Sequence, residues 1–220
     1  MKLLYRISDL LFPPKCVLCG NILHDAQTDL CHSCRCDTPE HPKGNIKLSY
    51  IADWTALWYY EGNVRGSLLR FKFHNRRSYA QVYGRLLAMK LLKEQACFDV
   101  LTWVPISRLR KWRRGYDQVE LIARSLGSEL GLVPCRTLKK HRNTPPQSGL
   151  KDAAQRRANV LGAYTATDAA QFAGKRVLLL DDILTTGATA GECARVLLTA
   201  GAKEVLCAAV AAASHQRKDQ

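Results

Sequence analysis

The residues best placed to do chemistry sit in the segment VLLLDDILTTGAT, positions 177 to 189. An apolar run ends in two adjacent carboxylates, Asp181 and Asp182, followed by a short hydroxyl-rich loop with one glycine. Backbone N–H groups where that loop opens a helix, with the hydroxyls of Thr185, Thr186 and Thr189, form the kind of cradle that holds a phosphate dianion. Gly187 lets the backbone approach the anion closely. The two carboxylates would repel phosphate, so their expected work is to accept hydrogen bonds from sugar hydroxyls or to hold magnesium nearby. Two other readings stand beside this one. The Asp pair could close an ATPase strand, but no G-x-x-x-x-G-K-[ST] loop occurs in the chain. The Thr-Thr-Gly could also do no more than cap a helix.

The second chemical feature is Cys16-x-x-Cys19 followed by Cys31-x-x-Cys34. Each pair can bite one tetrahedral ion with two thiolates, and zinc suits four soft ligands without needing an open position. Cys36, His24 and His32 are bystanders in this reading, because the paired spacing already supplies four ligands. Cys97, Cys135, Cys193 and Cys207 occur singly in apolar surroundings and are expected to be core thiols.

These features need elements to position them. Positions 176–181 read as a buried strand, positions 189–200 as a helix stopped by Gly201, and positions 205–213 as the next strand. A strand–helix–strand unit predicts parallel neighbours in a sheet covered on both faces. Upstream, positions 51–60 and 98–105 read as strands and positions 78–95 and 116–130 as helices. Positions 37–49 read as a linker. At the front, Leu3, Leu4, Ile7, Leu10 and Leu11 share one face of a short amphipathic helix ended by Pro13.

The charge is uneven. The chain of 220 residues carries a formal net charge of +14. Positions 65–157 hold 21 basic and six acidic side chains, whereas positions 158–220 balance at six and six. A concentrated positive stretch points to an anionic partner. No apolar run approaches the roughly 18 residues a membrane span needs. Arg6 and Asp9 interrupt the N-terminus, so no secretory signal, reduced cysteines and a cytoplasmic location are expected.

Four segments together resemble a known family. The segment 177–189 is similar to the phosphoribosyl pyrophosphate (PRPP) motif of type I phosphoribosyltransferases. Val104-Pro105-Ile106-Ser107 with Arg113-Arg114-Gly115-Tyr116-Asp117-Gln118 resembles the first conserved block of the ComF family. Thr144-Pro145-Pro146-Gln147-Ser148-Gly149-Leu150, with Arg157, Asn159 and Val160, resembles its second. The Leu-Phe-Pro-Pro-Lys-Cys-x-x-Cys start resembles its zinc ribbon. Asp117 departs from the pattern, which tends to have Asn there.

The resemblance implies an α/β fold with a type I phosphoribosyltransferase-like parallel sheet flanked by helices over positions 49–214. A four-cysteine zinc ribbon would occupy positions 1–48, and a frayed tail positions 215–220. It implies that Asp181 and Asp182 meet ribose hydroxyls, while Thr185, Thr186, Gly187, Ala188 and Thr189 hold the 5′-phosphate. Pro105, Ile106, Ser107 and Arg108, with Arg113 and Arg114, would line a pyrophosphate or DNA-backbone loop. Gln147, Arg157 and Asn159 would belong to a hood over the site. Structural zinc, and magnesium with PRPP, are the implied cofactors. The implied role is handling of incoming single-stranded DNA in natural transformation, with PRPP or a sugar phosphate as ligand and proteins of the competence machinery as possible partners. The alternative is an active PRPP-dependent transferase with an unknown acceptor. Residues that would handle glutamine are not expected, and Thr185 stands where relatives that salvage 6-oxopurines carry an acidic base.

Overall fold

The computed structural model describes residues 13–23, 29–42, 47–144 and 153–214. The expected N-terminal helix, Gln147 and the tail at 215–220 lie outside the described residues. Among those described, the chain runs α1 (His32–Asp37), β1 (Asp53–Tyr59), α2 (Gly62–Phe73), α3 (Tyr79–Lys93), β2 (Val100–Trp103), α4 (Arg108–Arg114) and α5 (Gln118–Leu130). It continues with β3 (Leu138–Lys140), α6 (Ala153–Val160), β4 (Tyr164–Ala166), β5 (Arg176–Leu184), α7 (Ala188–Thr199) and β6 (Glu204–Ala212).

Four strands form one sheet in the order β1-β6-β5-β2, and every pairing is parallel. Strands β3 and β4 make a separate antiparallel ribbon. The central strand β5 is apolar on both sides because both faces are covered, as parallel sheets require. Its residues alternate between two cores. Leu178 and Leu180 join α2, α3 and α5, while Val177 and Leu179 join α7 and the β3–β4 ribbon.

The structure changes the expected elements in several places, adding α4, α6 and the β3–β4 ribbon to the sequence reading. Strand β5 runs through Leu184, so Asp181 and Asp182 lie within the strand and not beyond its end. Helix α2, absent from the sequence reading, buries Val64, Leu68 and Phe71, one per turn, against the sheet. Of the four single cysteines, Cys193 and Cys207 are buried as expected, Cys135 is half-buried, and Cys97 is exposed in the turn before β2.

The cysteine knuckle packs on the α2–α3 side. Val17 and Leu18 are fully buried in that core. Ser67 of α2 donates to the Val17 carbonyl and Arg70 to that of Leu18, and Arg85 of α3 pairs with Asp29. No helix among the described residues is long and apolar enough to cross a membrane.

Candidate functional site

A cleft of about 610 Å³ opens at the carboxyl edge of the sheet, where open α/β sheets gather their ligands. Asp181, Asp182, Thr185 and Thr189 form its floor and one end. Val104, Pro105 and Ile106 lead in from β2, and Lys72 and Phe73 from the end of α2. Arg110 and Arg114 of α4, Gln118 of α5, Lys140 and Tyr164 of the β3–β4 ribbon, and Arg156 of α6 complete the wall.

Strand geometry makes the two carboxylates unequal. Neighbours on a strand point to opposite faces, so Asp182 looks toward α2 and α5 and Asp181 toward the β3–β4 ribbon. Asp182 accepts from Lys72 Nζ at 2.9 Å and from Gln118 Nε2 at 3.1 Å. Burial works to raise its pKa, but the Lys72 charge and these two bonds outweigh it, and the carboxyl is held below its ordinary range. Asp181 has no such partner. Burial, and then the Asp182 charge, push it up to about 8. Its own Oδ1 accepts the Asp182 backbone N–H at 2.8 Å. Lys72 and Gln118 thus favour the charged form of Asp182, and burial beside that charge favours the protonated form of Asp181.

Across from Asp181, Lys140 lies 4.9 Å above the Tyr164 ring. The two face each other in the β3–β4 register. Burial and the neighbouring Arg110 charge bring Lys140 down to about 8. Arg110, half-buried, donates to the Thr144 carbonyl at 2.8 Å and so ties α4 to the segment after β3.

The loop at 104–107 is positioned by α5. Asp117 caps that helix by accepting from the N–H groups of Val119 and Glu120, and its other oxygen accepts from Ile106 N–H at 3.2 Å. An Asn could make the same helix cap through its single oxygen, but only the second carboxylate oxygen of Asp117 can also accept from Ile106 N–H. Ser107 in turn caps α4.

The phosphate loop turns through Gly187 at φ +69°, in the left-handed region. A Cβ there would also meet Leu48 Cδ2 at 2.7 Å. Two buried polar atoms at the site have no hydrogen-bond partner among the described residues, Thr186 Oγ1 in the loop and Gln118 Oε1 beside Asp182. Burying such atoms unpaired costs about 1–3 kcal/mol each, and a ligand rich in hydroxyls and phosphate oxygens would satisfy both.

The structure places the other sequence-predicted residues as follows. Pro105, Ile106 and Arg114 line the cleft, while Arg108 and Arg113 are exposed on α4 outside the lining. Gly187 and Ala188 are buried at the start of α7. Arg157 is exposed on α6, and the Asn159 carbonyl accepts from Arg142 at 3.1 Å. Lys72 is the lining cation that sequence reading left out altogether, whereas Arg110, Lys140, Arg156 and Tyr164 fell within stretches it singled out without being named for the cleft. The apolar spacing Val64, Leu68, Phe71 could have revealed α2 and thus Lys72. Nothing local pairs Lys140 with Tyr164.

At the knuckle, the Cys16, Cys19, Cys31 and Cys34 sulfurs lie within 4.8 Å of one another, and Cys19 and Cys31 stand 3.6 Å apart. Four thiolates around one zinc at roughly 2.3 Å give sulfur separations of roughly 3.8 Å, so the set fits that ion. Gly20, at φ +84°, closes the first turn by donating to the Cys16 carbonyl. Asn21 N–H and Cys34 N–H donate to the sulfurs of Cys19 and Cys31. Burial opposes ionisation of Cys16, yet the backbone N–H groups of Cys19, Cys31 and Leu18 bring it down to about 7. Cys36 faces His32 on the exposed side of α1 and takes no part in the cluster.

Fold and site together define a phosphoribosyltransferase-fold protein that carries a four-cysteine zinc ribbon. The family model for the phosphoribosyl transferase domain matches residues 112–220, and that for the double zinc ribbon domain matches residues 7–45. Competence protein F of Haemophilus influenzae is 28% identical over 215 residues, covering 87% of this chain and 93% of that protein. DNA utilization protein YhgH of Salmonella typhi is 32% identical over 142 residues, and the match spans 62% of this chain and 61% of that one. Among solved structures, the glutamine PRPP amidotransferase from B. subtilis aligns at a TM-score of 0.46 and 22% identity, over 64% of this chain and 30% of the other. These matches make the chain similar to the ComF family over most of its length.

Proposed function

We propose that the protein handles single-stranded DNA during DNA uptake and uses the cleft to bind PRPP or a related ribose 5-phosphate. The names of the relatives, competence protein F and DNA utilization protein, support the cellular role. The observation that carries the ligand reading is the cleft floor. Thr185 and Thr189 of the helix-opening loop line it with Asp181 and Asp182, and two unpartnered buried oxygens lie beside them, Thr186 Oγ1 in the same loop and Gln118 Oε1 next to Asp182. A phosphate monoester joined to a vicinal diol offers both the anion and the donors that such a lining asks for. In this reading Thr185–Thr189 hold the 5′-phosphate, Asp181 and Asp182 accept from the ribose hydroxyls, and Lys72 and Gln118 orient Asp182. Arg110, Arg114 and Lys140 face the pyrophosphate. Magnesium bound with PRPP would neutralise the diphosphate, and Asp181 is the carboxylate with coordination to spare. The ribbon, within positions 1–48, holds zinc for structure while positions 49–214 carry the cleft, and the protein works in the cytoplasm.

Three cations about the diphosphate end also favour a transferase reading, since they would stabilise a departing pyrophosphate. Release of pyrophosphate from PRPP when a candidate acceptor is added is the measurement for it.

Calorimetry tests the ligand reading. PRPP with magnesium should bind the unaltered chain, and Asp181→Asn with Asp182→Asn should weaken that binding by at least tenfold. Equal binding by the double variant would move the site elsewhere.

A further inference from the structure

The sugar-phosphate reading leaves one end of the cleft without an occupant. The strand order β1-β6-β5-β2 sets the acidic pair on β5, with the 104–107 loop that follows β2 on one side. On the other side lies the carboxyl end of β1, where Tyr60 leads into α2. Helix α2 lines the cleft with Arg65, Leu69, Lys72 and Phe73. Their i, i+4, i+7, i+8 spacing makes one stripe, roughly 12 Å long at about 1.5 Å per residue. Phe73 ends the stripe under Arg114, whose guanidinium lies 5.1 Å over its ring. Lys72 comes next and is engaged by Asp182. Leu69 and Arg65 carry the stripe on, away from Arg114 and back toward the start of the helix.

Tyr60 and Ile183 line the cleft too, and both are half-buried against the α2-side core. Leu69 is half-buried but joins neither core, so its side chain serves the cleft lining. Arg65 is exposed at the rim, and among the described residues no carboxylate forms an ion pair with it. We propose that this end is a subsite for a second small ligand, an apolar, ring-bearing carboxylate held beside the sugar phosphate on the side away from the diphosphate. The inference rests on the reading above that the cleft binds PRPP. The lining discriminates between ligand classes. A guanidinium matches a carboxylate through two parallel N–H bonds, and a single cation suits a monoanion. A further phosphoryl group would ask for several cations, which stand at the opposite end on Arg110, Arg114 and Lys140. The edge of a nucleobase would find only the Tyr60 hydroxyl among the side chains of Tyr60, Leu69 and Ile183, whereas an apolar ring is what such a lining accepts.

Benzoate is the probe and benzamide its uncharged counterpart, each titrated into the full chain with and without saturating PRPP and magnesium and followed by ligand-observed NMR. Benzoate should bind in roughly the millimolar range of so small a fragment. Benzamide should bind roughly fivefold more weakly, the scale of one exposed ion pair. Arg65→Gln should bring benzoate down to the level of benzamide, Leu69→Ala should weaken both probes alike, and PRPP should leave benzoate bound. No binding of benzoate, equal binding of the two probes, a preference that survives Arg65→Gln, or displacement of benzoate by PRPP would overturn the subsite. PRPP titrated alone separates this failure from that of the reading beneath it. If PRPP binds while benzoate shows no preference that depends on Arg65, the subsite alone fails. If PRPP does not bind and the preference persists, the sugar-phosphate reading fails and the carboxylate subsite stands.

Discussion

The knuckle and the cleft each gather ionisable side chains from distant stretches of chain, but they treat the members differently. At the knuckle the four sulfurs converge on one point, where they are equivalent partners for one ion. In the cleft, two identical and adjacent side chains are driven apart, Asp182 toward its charged form by Lys72 and Gln118 and Asp181 toward its protonated form by burial. Convergence makes a closed site that serves structure. Divergence leaves one group with unfilled capacity, and that is the condition for binding a ligand. The comparison also explains why the ribbon packs into the core through Val17 and Leu18 while the cleft stays open at the sheet edge.

The strongest way to break the comparison is to remove one sulfur. Cys34→Ser should lose the zinc, expected at about one ion per chain, and cost about 4 kcal/mol or more in chemical denaturation. A variant that keeps both its zinc and its midpoint would show that the four ligands do not act together. Next comes Lys72→Met, which strands a buried carboxylate at a cost of about 3 kcal/mol near neutral pH. Because the folded pKa of Asp182 is depressed, its contribution is present above the unfolded carboxylate range and is lost as pH falls through the folded value. The deficit of the variant should therefore shrink in acid. A deficit independent of pH would assign Lys72 a packing role instead.

The cleft's other carboxylate predicts the opposite slope. With Asp181 raised to about 8, the folded state holds a proton the unfolded state has lost. Stability from this group therefore declines between the unfolded carboxylate range, about pH 4, and pH 8. Asp181→Asn should flatten that decline in a series of melting curves, and PRPP binding should strengthen toward pH 8 as the proton is shed. A smaller effect, about 1 kcal/mol, is expected for Gly187→Ala from its left-handed backbone, since the Leu48 side chain it would meet can swing aside. Smallest of all, Trp112→Ala should alter stability by no more than about 0.5 kcal/mol. A larger loss would mean that the ring supports the fold.

Much of this was legible in the residues. The two Cys-x-x-Cys pairs and the Asp-Asp-x-x-Thr-Thr-Gly-Ala-Thr segment are local signals, because each depends on spacing along a few bonds. The four strands of the parallel sheet read correctly for the same reason, as apolar runs on a sheet buried on both faces, whereas the short β3 and β4 went unread. Helix α2 was missed because its apolar residues are interrupted by Arg65, Arg70 and Lys72, the last of which the cleft needs in that place. Cys97 was misjudged because its apolar neighbours in sequence turn away from it in the loop before β2. The cleft wall was invisible, since Lys140 and Tyr164 meet only through an antiparallel register.

The sequence by itself determined which chemistries were present: four thiolates for a metal, a phosphate loop, an acidic pair, and a positive middle to the chain. Only the tertiary structure decided how they are shared out. The pleat sends neighbouring aspartates to opposite faces, α2 brings a lysine to one of them, and burial withholds a charge from the other. The positive charge, uniform along the sequence from 65 to 157, is likewise divided. Some of it becomes the wall of a cleft and some an outer face around Trp112, because charge follows composition but its address follows packing.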